Sequence, residues 1–196
     1  MKIYDMDPES DRKWVWFFAK NNLALPQHTW EEESFFNEHP TIAIDRNTES
    51  TPRGSSAKLA DYSDLNYSVH PIFSDRAKQI LGPHIDGLGR WIELECDEAP
   101  YWLFWITNVV DALDEEKSVL KRFADGRVLR VVRMSLRPEK VEDQWLFTLP
   151  QRRGSNRLVT QRFVDLVQRH GLTGFVFKPM WNDEELVATS DAKKIA

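Results

Sequence analysis

Asp111, Asp114 and Glu115 form the densest group of chemically capable side chains in this sequence. Hard oxygen ligands at that spacing suit Mg²⁺. The tripeptide Glu115-Glu116-Lys117 also has the E-x-K form of metal-dependent nucleases, with Asp97 as an upstream acid. Two features count against that chemistry. The nuclease tripeptide belongs on a core strand, and here it falls in a polar turn. A phosphodiester is also drawn in by a basic surround, whereas residues 86–116 carry nine acids against one base, Arg90.

Other chemistry finds less support. His28 with Glu31 and Glu32 makes a metal corner that lacks a third ligand. His39 precedes a proline in a turn, and His170 suits the C-terminal end of a helix. Cys96 alternates with Ile92 and Leu94 among acids, the pattern of a small buried hydrophobe and not of an activated thiol. There is no G-x-S-x-G, and no glycine-rich phosphate loop precedes a helix. The residues therefore specify no catalytic centre, no metal site and no cofactor.

The elements that must position these residues read as an α+β fold, mainly antiparallel sheet with a few short helices packed on one side. Lys2–Asp5, Lys13–Ala19 and Thr41–Ile44 have strand character, so residues 1–69 are expected to be a strand-rich segment. Its polar stretch 46–58 is expected to be a mobile loop. Residues 70–184 are expected to form the main α+β domain, and 185–196 a frayed tail.

Within the main domain, Ser74 is placed to cap a helix that Gly82-Pro83 should stop. Arg90–Cys96 alternates as a half-exposed strand, with Ile92 and Leu94 inward and Glu93 and Glu95 outward. Tyr101–Ile106 is apolar on both faces and should be an interior strand. Ala124-Asp125-Gly126 should turn a hairpin between Val119–Phe123 and Arg127–Leu136. Trp145–Leu149 is a further strand, and Thr160 should cap a helix over 161–170 that ends at Gly171. Leu172–Trp181 closes the domain as a strand.

The 196 residues include eight Trp and eleven Phe, so aromatic burial should dominate the core. Trp102 and Trp105 are expected there. The opening Met1–Asp7 has no apolar stretch, and no run approaches the length that spans a bilayer. With a single cysteine, these features point to a cytoplasmic protein. The net charge is −5. The acidic band at 86–116 disfavours nucleic acid and favours a basic partner through long-range steering. An acidic loop carried by a rigid buried strand suits recognition, because little of it must be ordered on binding.

The order Phe73-Ser74-Asp75-Arg76-Ala77-Lys78, then Tyr101 followed by Asn108-Val109-Val110-Asp111-Ala112-Leu113-Asp114 and Lys117-Ser118, then Gly171-Leu172-Thr173-Gly174-Phe175 and Trp181, resembles a bacterial immunity-protein family typed by a myxobacterial member. The resemblance covers about residues 70–182. Members of that family are encoded beside polymorphic toxins, so the resemblance implies a non-enzymatic protein that binds and neutralises a cognate toxin. Glu93, Glu95, Asp114, Glu115, Glu116 and Trp181 are the candidate contact residues. The carboxylates would face a basic toxin surface, and Trp181, at a strand end before Asn182-Asp183-Glu184-Glu185, would be a rim aromatic. Asn108, Asp111 and Asp114 have a second reading as builders of local turns. A generic interaction domain and a metal-dependent hydrolase using Asp111, Asp114 and Glu115 are the alternatives.

Overall fold

Apolar alternation decides which segments pair. A computed structural model describes residues 1–10, 14–26, 29–46, 57–66, 70–152 and 157–183. Its strands in chain order are β1 (Lys2–Pro8), β2 (Phe17–Ala19), β3 (Thr41–Arg46), β4 (Tyr62–Asp64), β5 (Pro71–Ser74) and β6 (Gly89–Glu95). They continue with β7 (Tyr101–Ile106), β8 (Val119–Arg122), β9 (Val128–Arg133), β10 (Leu146–Phe147), β11 (Leu158–Thr160) and β12 (Phe175–Asn182). The helices are α1 (Thr29–Glu38), α2 (Asp75–Ile85), a single turn α3 (Pro138–Val141) and α4 (Gln161–Arg169).

Six strands form one sheet in the order β2-β3-β6-β7-β5-β4, antiparallel except where β3 runs parallel to β6. The doubly apolar β7 is interior, between β6 and β5. A four-stranded antiparallel sheet has the order β10-β11-β1-β12, and β8 and β9 make a separate two-stranded ribbon. The fold is α+β with mostly antiparallel sheet. Strands from before residue 70 enter both larger sheets: β3 pairs with β6, and β1 lies between β11 and β12.

Three apolar clusters hold these layers together. Ala77, Leu81 and Ile85 of α2 meet Phe163, Val164 and Val167 of α4 over Phe73, Phe104 and Met6. On the other face of the six-stranded sheet, Ile72, Ile92, Leu94 and Leu103 pack with Val15, Phe17 and Phe36. The third cluster joins Ile3, Phe147, Leu158 and Trp181 to Ala112, Leu113, Val131 and Leu136, beneath the acidic loop and the ribbon.

Several elements differ from the sequence reading. Helix α1 stands in a segment that looked strand-rich. Its sequence, TWEEESFFNE, has no regular apolar stripe, so tertiary contacts hold it rather than periodicity. Phe36 is fully buried against Trp105, and the Trp105 indole donates to Glu32 at 2.9 Å. Helix α2 runs through Gly82-Pro83. Pro83 has no N–H to give to the carbonyl four residues back, yet burial of Leu81 and Ile85 keeps the last turn in place. Thr160 sits at the cap position of α4, but its hydroxyl donates to the Gln144 carbonyl at 2.8 Å instead of capping. Of the strand expected over 13–19, only Phe17–Ala19 is regular, and Trp14 makes an isolated bridge to Lys58. Residues 47–56 of the expected loop, Lys13 and the tail beyond Asp183 lie outside the described residues.

A buried ion cluster links the two larger sheets. Arg157, 7% exposed, donates through its guanidinium to Asp64 of β4 and to Asp7 of β1, the latter at 3.3 Å. Its backbone N–H donates to Asp5 at 3.3 Å. The buried Tyr62 hydroxyl donates to Asp64 at 3.3 Å. Burial pushes the Asp64 carboxyl up to about 6, against the opposing pull of Arg157. Removing one member of such a cluster leaves charges that water cannot reach. Arg157→Met is therefore expected to cost about 3–5 kcal/mol of unfolding free energy in urea titrations; a loss below about 1 kcal/mol would contradict this role.

Candidate protein-docking site

The chain leaves β7 with a polar stretch that the rest of the fold fixes in place. The backbone N–H groups of Thr107 and Asn108 both donate to the Leu88 carbonyl at 3.0 Å. The Asn108 side-chain amide donates to Gln144 and to the Leu146 carbonyl, each at 2.8 Å, while the Asn108 backbone carbonyl accepts from Thr148 N–H at 2.9 Å. Asn108 thus stitches the end of β7 to β10. Asp114 donates its N–H to the Ser135 carbonyl at 2.9 Å, and its carboxylate accepts from the Lys117 amide at 3.2 Å and pairs with the Lys117 ammonium at 3.0 Å. That hydrogen bond from Lys117 holds the Asp114 carboxyl below the usual carboxylate range.

The loop so built forms one wall of a cleft of about 790 Å³, with Leu136, Arg137, Pro138 and Glu139 opposite and Gln151 at its side. Glu115 pairs with Arg122 at 2.5 Å and accepts from Gln151 at 3.2 Å; the Arg122 hydrogen bond lowers its pKa. Asp111, Glu116 and Glu139 stand exposed, with no cation in ion-pair range among the described residues. The cleft is therefore acidic, and its shape is set by backbone hydrogen bonds.

The structure separates the expected contact residues. Asp114, Glu115 and Glu116 line the cleft together. Glu93 and Glu95 are exposed as expected, but on β6 of the six-stranded sheet, cross-strand from Thr41 and Ala43, and do not line the cleft. The rim position expected for Trp181 is corrected. Trp181 is 7% exposed and packs in the core with Ile3 and Phe147, because the strand continues past it to Asn182 and pairs with β1. Glu184 and Glu185 lie outside the described residues.

The metal readings gain no geometry. No three His, Cys, Asp or Glu side chains come together among the described residues as a metal site would require. His28 and the Glu31 side chain lie outside them, and Glu32 is buried as the acceptor of Trp105. The other histidines have structural surroundings. His70 is buried against Phe36, which pushes its pKa down to about 4, so it is neutral near pH 7. His84 stacks on Trp145 at 4.2 Å, and the carbonyl of His170 accepts from Arg76 at 2.5 Å. Cys96 follows β6 and is half-buried.

The residues that carry the family resemblance are largely structural. Buried Asp61 accepts from Ser74 at 2.8 Å, from Arg76 at 2.9 Å, and from the Thr173 N–H and hydroxyl at 2.9 and 3.0 Å. One carboxylate thereby ties two of the resemblance cassettes together. Gly174 lies beside it at φ +88°, where an added Cβ would come within 2.3 Å of the Tyr62 carbonyl.

Sequence reasoning missed the surface next to the cleft. Residues 117–133 hold six cations and one acid, Asp125, an excess that reading the acidic band alone conceals. The β8–β9 ribbon carries most of them. Its base is sewn to the cleft by Ser118, whose hydroxyl accepts from Ser135 N–H at 2.9 Å, and by the Arg122–Glu115 pair.

A preformed acid-lined cleft built by fixed loops, beside a cationic two-stranded ribbon, is a surface suited to docking a macromolecule. Residues 90–182, a little under half of the chain, match the family model of the Immunity protein family (Imm11). The match contains the cleft and the ribbon, and it bears out the resemblance to an immunity-protein family. No curated protein matches the chain. No helix among the described residues is long and apolar enough to cross a membrane.

The stitching by Asn108 and the openness of Asp111 predict opposite outcomes for two neighbours. Asn108→Ala is expected to lower stability by about 1–3 kcal/mol by leaving part-buried acceptors unpaired, and Asp111→Ala to stay within about 0.5 kcal/mol. Parallel thermal melts check this; equal losses would mean that the loop is held in another way.

Proposed function

We propose that this chain is an immunity protein that binds a cognate bacterial toxin and neutralises it by contact, with no chemical step of its own. The observation that carries the reading is the family match, which falls on the segment that builds the acidic cleft. Fixed carboxylates in a concave site suit a toxin with a basic surface, such as one shaped to hold phosphates. Asp111, Glu116 and Glu139 are the best placed to meet it, since no cation of the described chain neutralises them. Asp114 and Glu115 shape the loop, and Glu93 and Glu95 add to the negative field from β6, outside the cleft. A cytoplasmic location accords with this role, because a toxin is neutralised where it would otherwise act.

The direct test is protection. Co-expressing this protein with the toxin domain encoded beside it should restore growth; killing that proceeds equally with and without it sinks the reading. For the cleft itself, the triple change Asp111→Lys, Glu116→Lys and Glu139→Lys should slow association with that domain by roughly 10-fold or more at low salt, with the gap closing as salt rises. Glu93→Lys with Glu95→Lys should have the smaller effect. An unchanged association rate in the triple variant would move the contact away from the cleft.

A further inference from the structure

Val119, Phe123, Leu129 and Val132 are the large apolar side chains that stand exposed among the described residues, at 44%, 48%, 54% and 52%. All four are on the β8–β9 ribbon or its turn. Single exposed apolar groups are ordinary, but a concentration of them on one small element marks a contact surface. The ribbon is anchored where Val131, Leu120 and Val128 pack into the third cluster. It has only two strands, and neither outer edge is paired with another strand among the described residues, which leaves its edges and exposed side chains open to a partner.

Its charges make the point more sharply. Lys121 lies directly across from Arg130, and like charges opposed on a sheet destabilise it. No carboxylate among the described residues neutralises either of them, or Arg133; Arg122 and Arg127 are the ribbon cations with acidic partners, Glu115 and Asp125. Cations on an edge strand can serve to prevent edge-to-edge aggregation. That purpose accounts for the charges but not for the four apolar side chains among them, which work against it.

The cleft lacks what the ribbon has. Its lining leucines, Leu113 and Leu136, are at most 1% exposed, so Pro138 is the one open apolar group among the charges that line it. Protein interfaces are held by a desolvated apolar centre and oriented by the charges around it. The two surfaces adjoin at Lys117–Ser118 and at the Arg122–Glu115 pair. We infer that the β8–β9 ribbon is the second half of the toxin-binding face, docking an apolar patch rimmed by carboxylates that flanks the basic surface held by the cleft. This rests on the toxin-neutralising reading. It adds that the partner's face is bipolar, basic toward the cleft and acidic with apolar groups toward the ribbon.

The probe is the purified, catalytically inactivated toxin domain encoded by the adjacent gene, measured for binding to the full chain. The triple change Phe123→Ser, Leu129→Ser and Val132→Ser should weaken binding at least 10-fold, mainly through faster dissociation. Lys121→Glu separates docking from folding. It turns the like-charge pair with Arg130 into an opposite-charge pair, so the melting temperature should hold or rise while binding weakens.

If the native protein binds the toxin domain and both variants bind it equally well, the ribbon assignment is wrong and the toxin reading stands. If the native protein does not bind the domain at all, the toxin reading fails and takes this assignment with it. Two further results overturn the ribbon assignment alone: a native dimer, seen by sedimentation, that the serine variant dissolves without losing toxin affinity, or adsorption to phosphatidylserine vesicles that the variant loses while keeping toxin affinity. The first would make a second copy the occupant, the second a lipid surface.

Discussion

The contact between Arg157 and the carboxylates of Asp64 and Asp7 constrains the rest of the molecule. It joins the edge strand β4 of one sheet to β1 of the other, with Arg157 itself immediately before β11. A guanidinium held out of water must have its charge matched, which leaves little freedom in how the two sheets meet there. Asp61 extends the constraint by drawing Ser74, Arg76 and Thr173 onto one carboxylate. With the strands held in this way, β7 can deliver its loop into a cleft whose walls come from 111–117 and 136–139.

Much of this is legible in the sequence, where the signal is local. The alternation of Ile92 and Leu94 with Glu93 and Glu95, the doubly apolar Tyr101–Ile106, the turn at Ala124-Asp125-Gly126 and the stripe of Phe163, Val164, Leu166 and Val167 each place an element correctly. What escapes has partners far away along the chain. Arg157 reads as one of several surface arginines until Asp64 and Asp7 are beside it. Helix α1 is fixed by Phe36 and Glu32 against Trp105, a contact that its own pattern does not announce. Trp181 looks terminal because polar residues follow it, but the strand continues and β1 covers it.

The site was half legible for the same reason. Acids close in sequence, at 111–116, do line one cleft, while the equally close-looking pair Glu93 and Glu95 stands on β6 and does not line it. The cations of 117–133 were visible in composition. Their meaning depends on cross-strand register, which sets Lys121 against Arg130, and on exposure, which leaves Phe123 and Leu129 outside every core cluster. On the proposed reading, charge of one sign in the cleft and of the other on the ribbon would orient a partner, since one turned the wrong way meets like charge.

Hydrogen exchange on this protein, alone and with the proposed cognate toxin domain, is the sharpest test of contact at the cleft and the ribbon, because it reports where contact occurs without altering a residue. Added protection is expected at 111–122 and 128–139, with the strands of the six-stranded sheet unchanged. Protection confined to other segments, or none at saturating toxin, would contradict it.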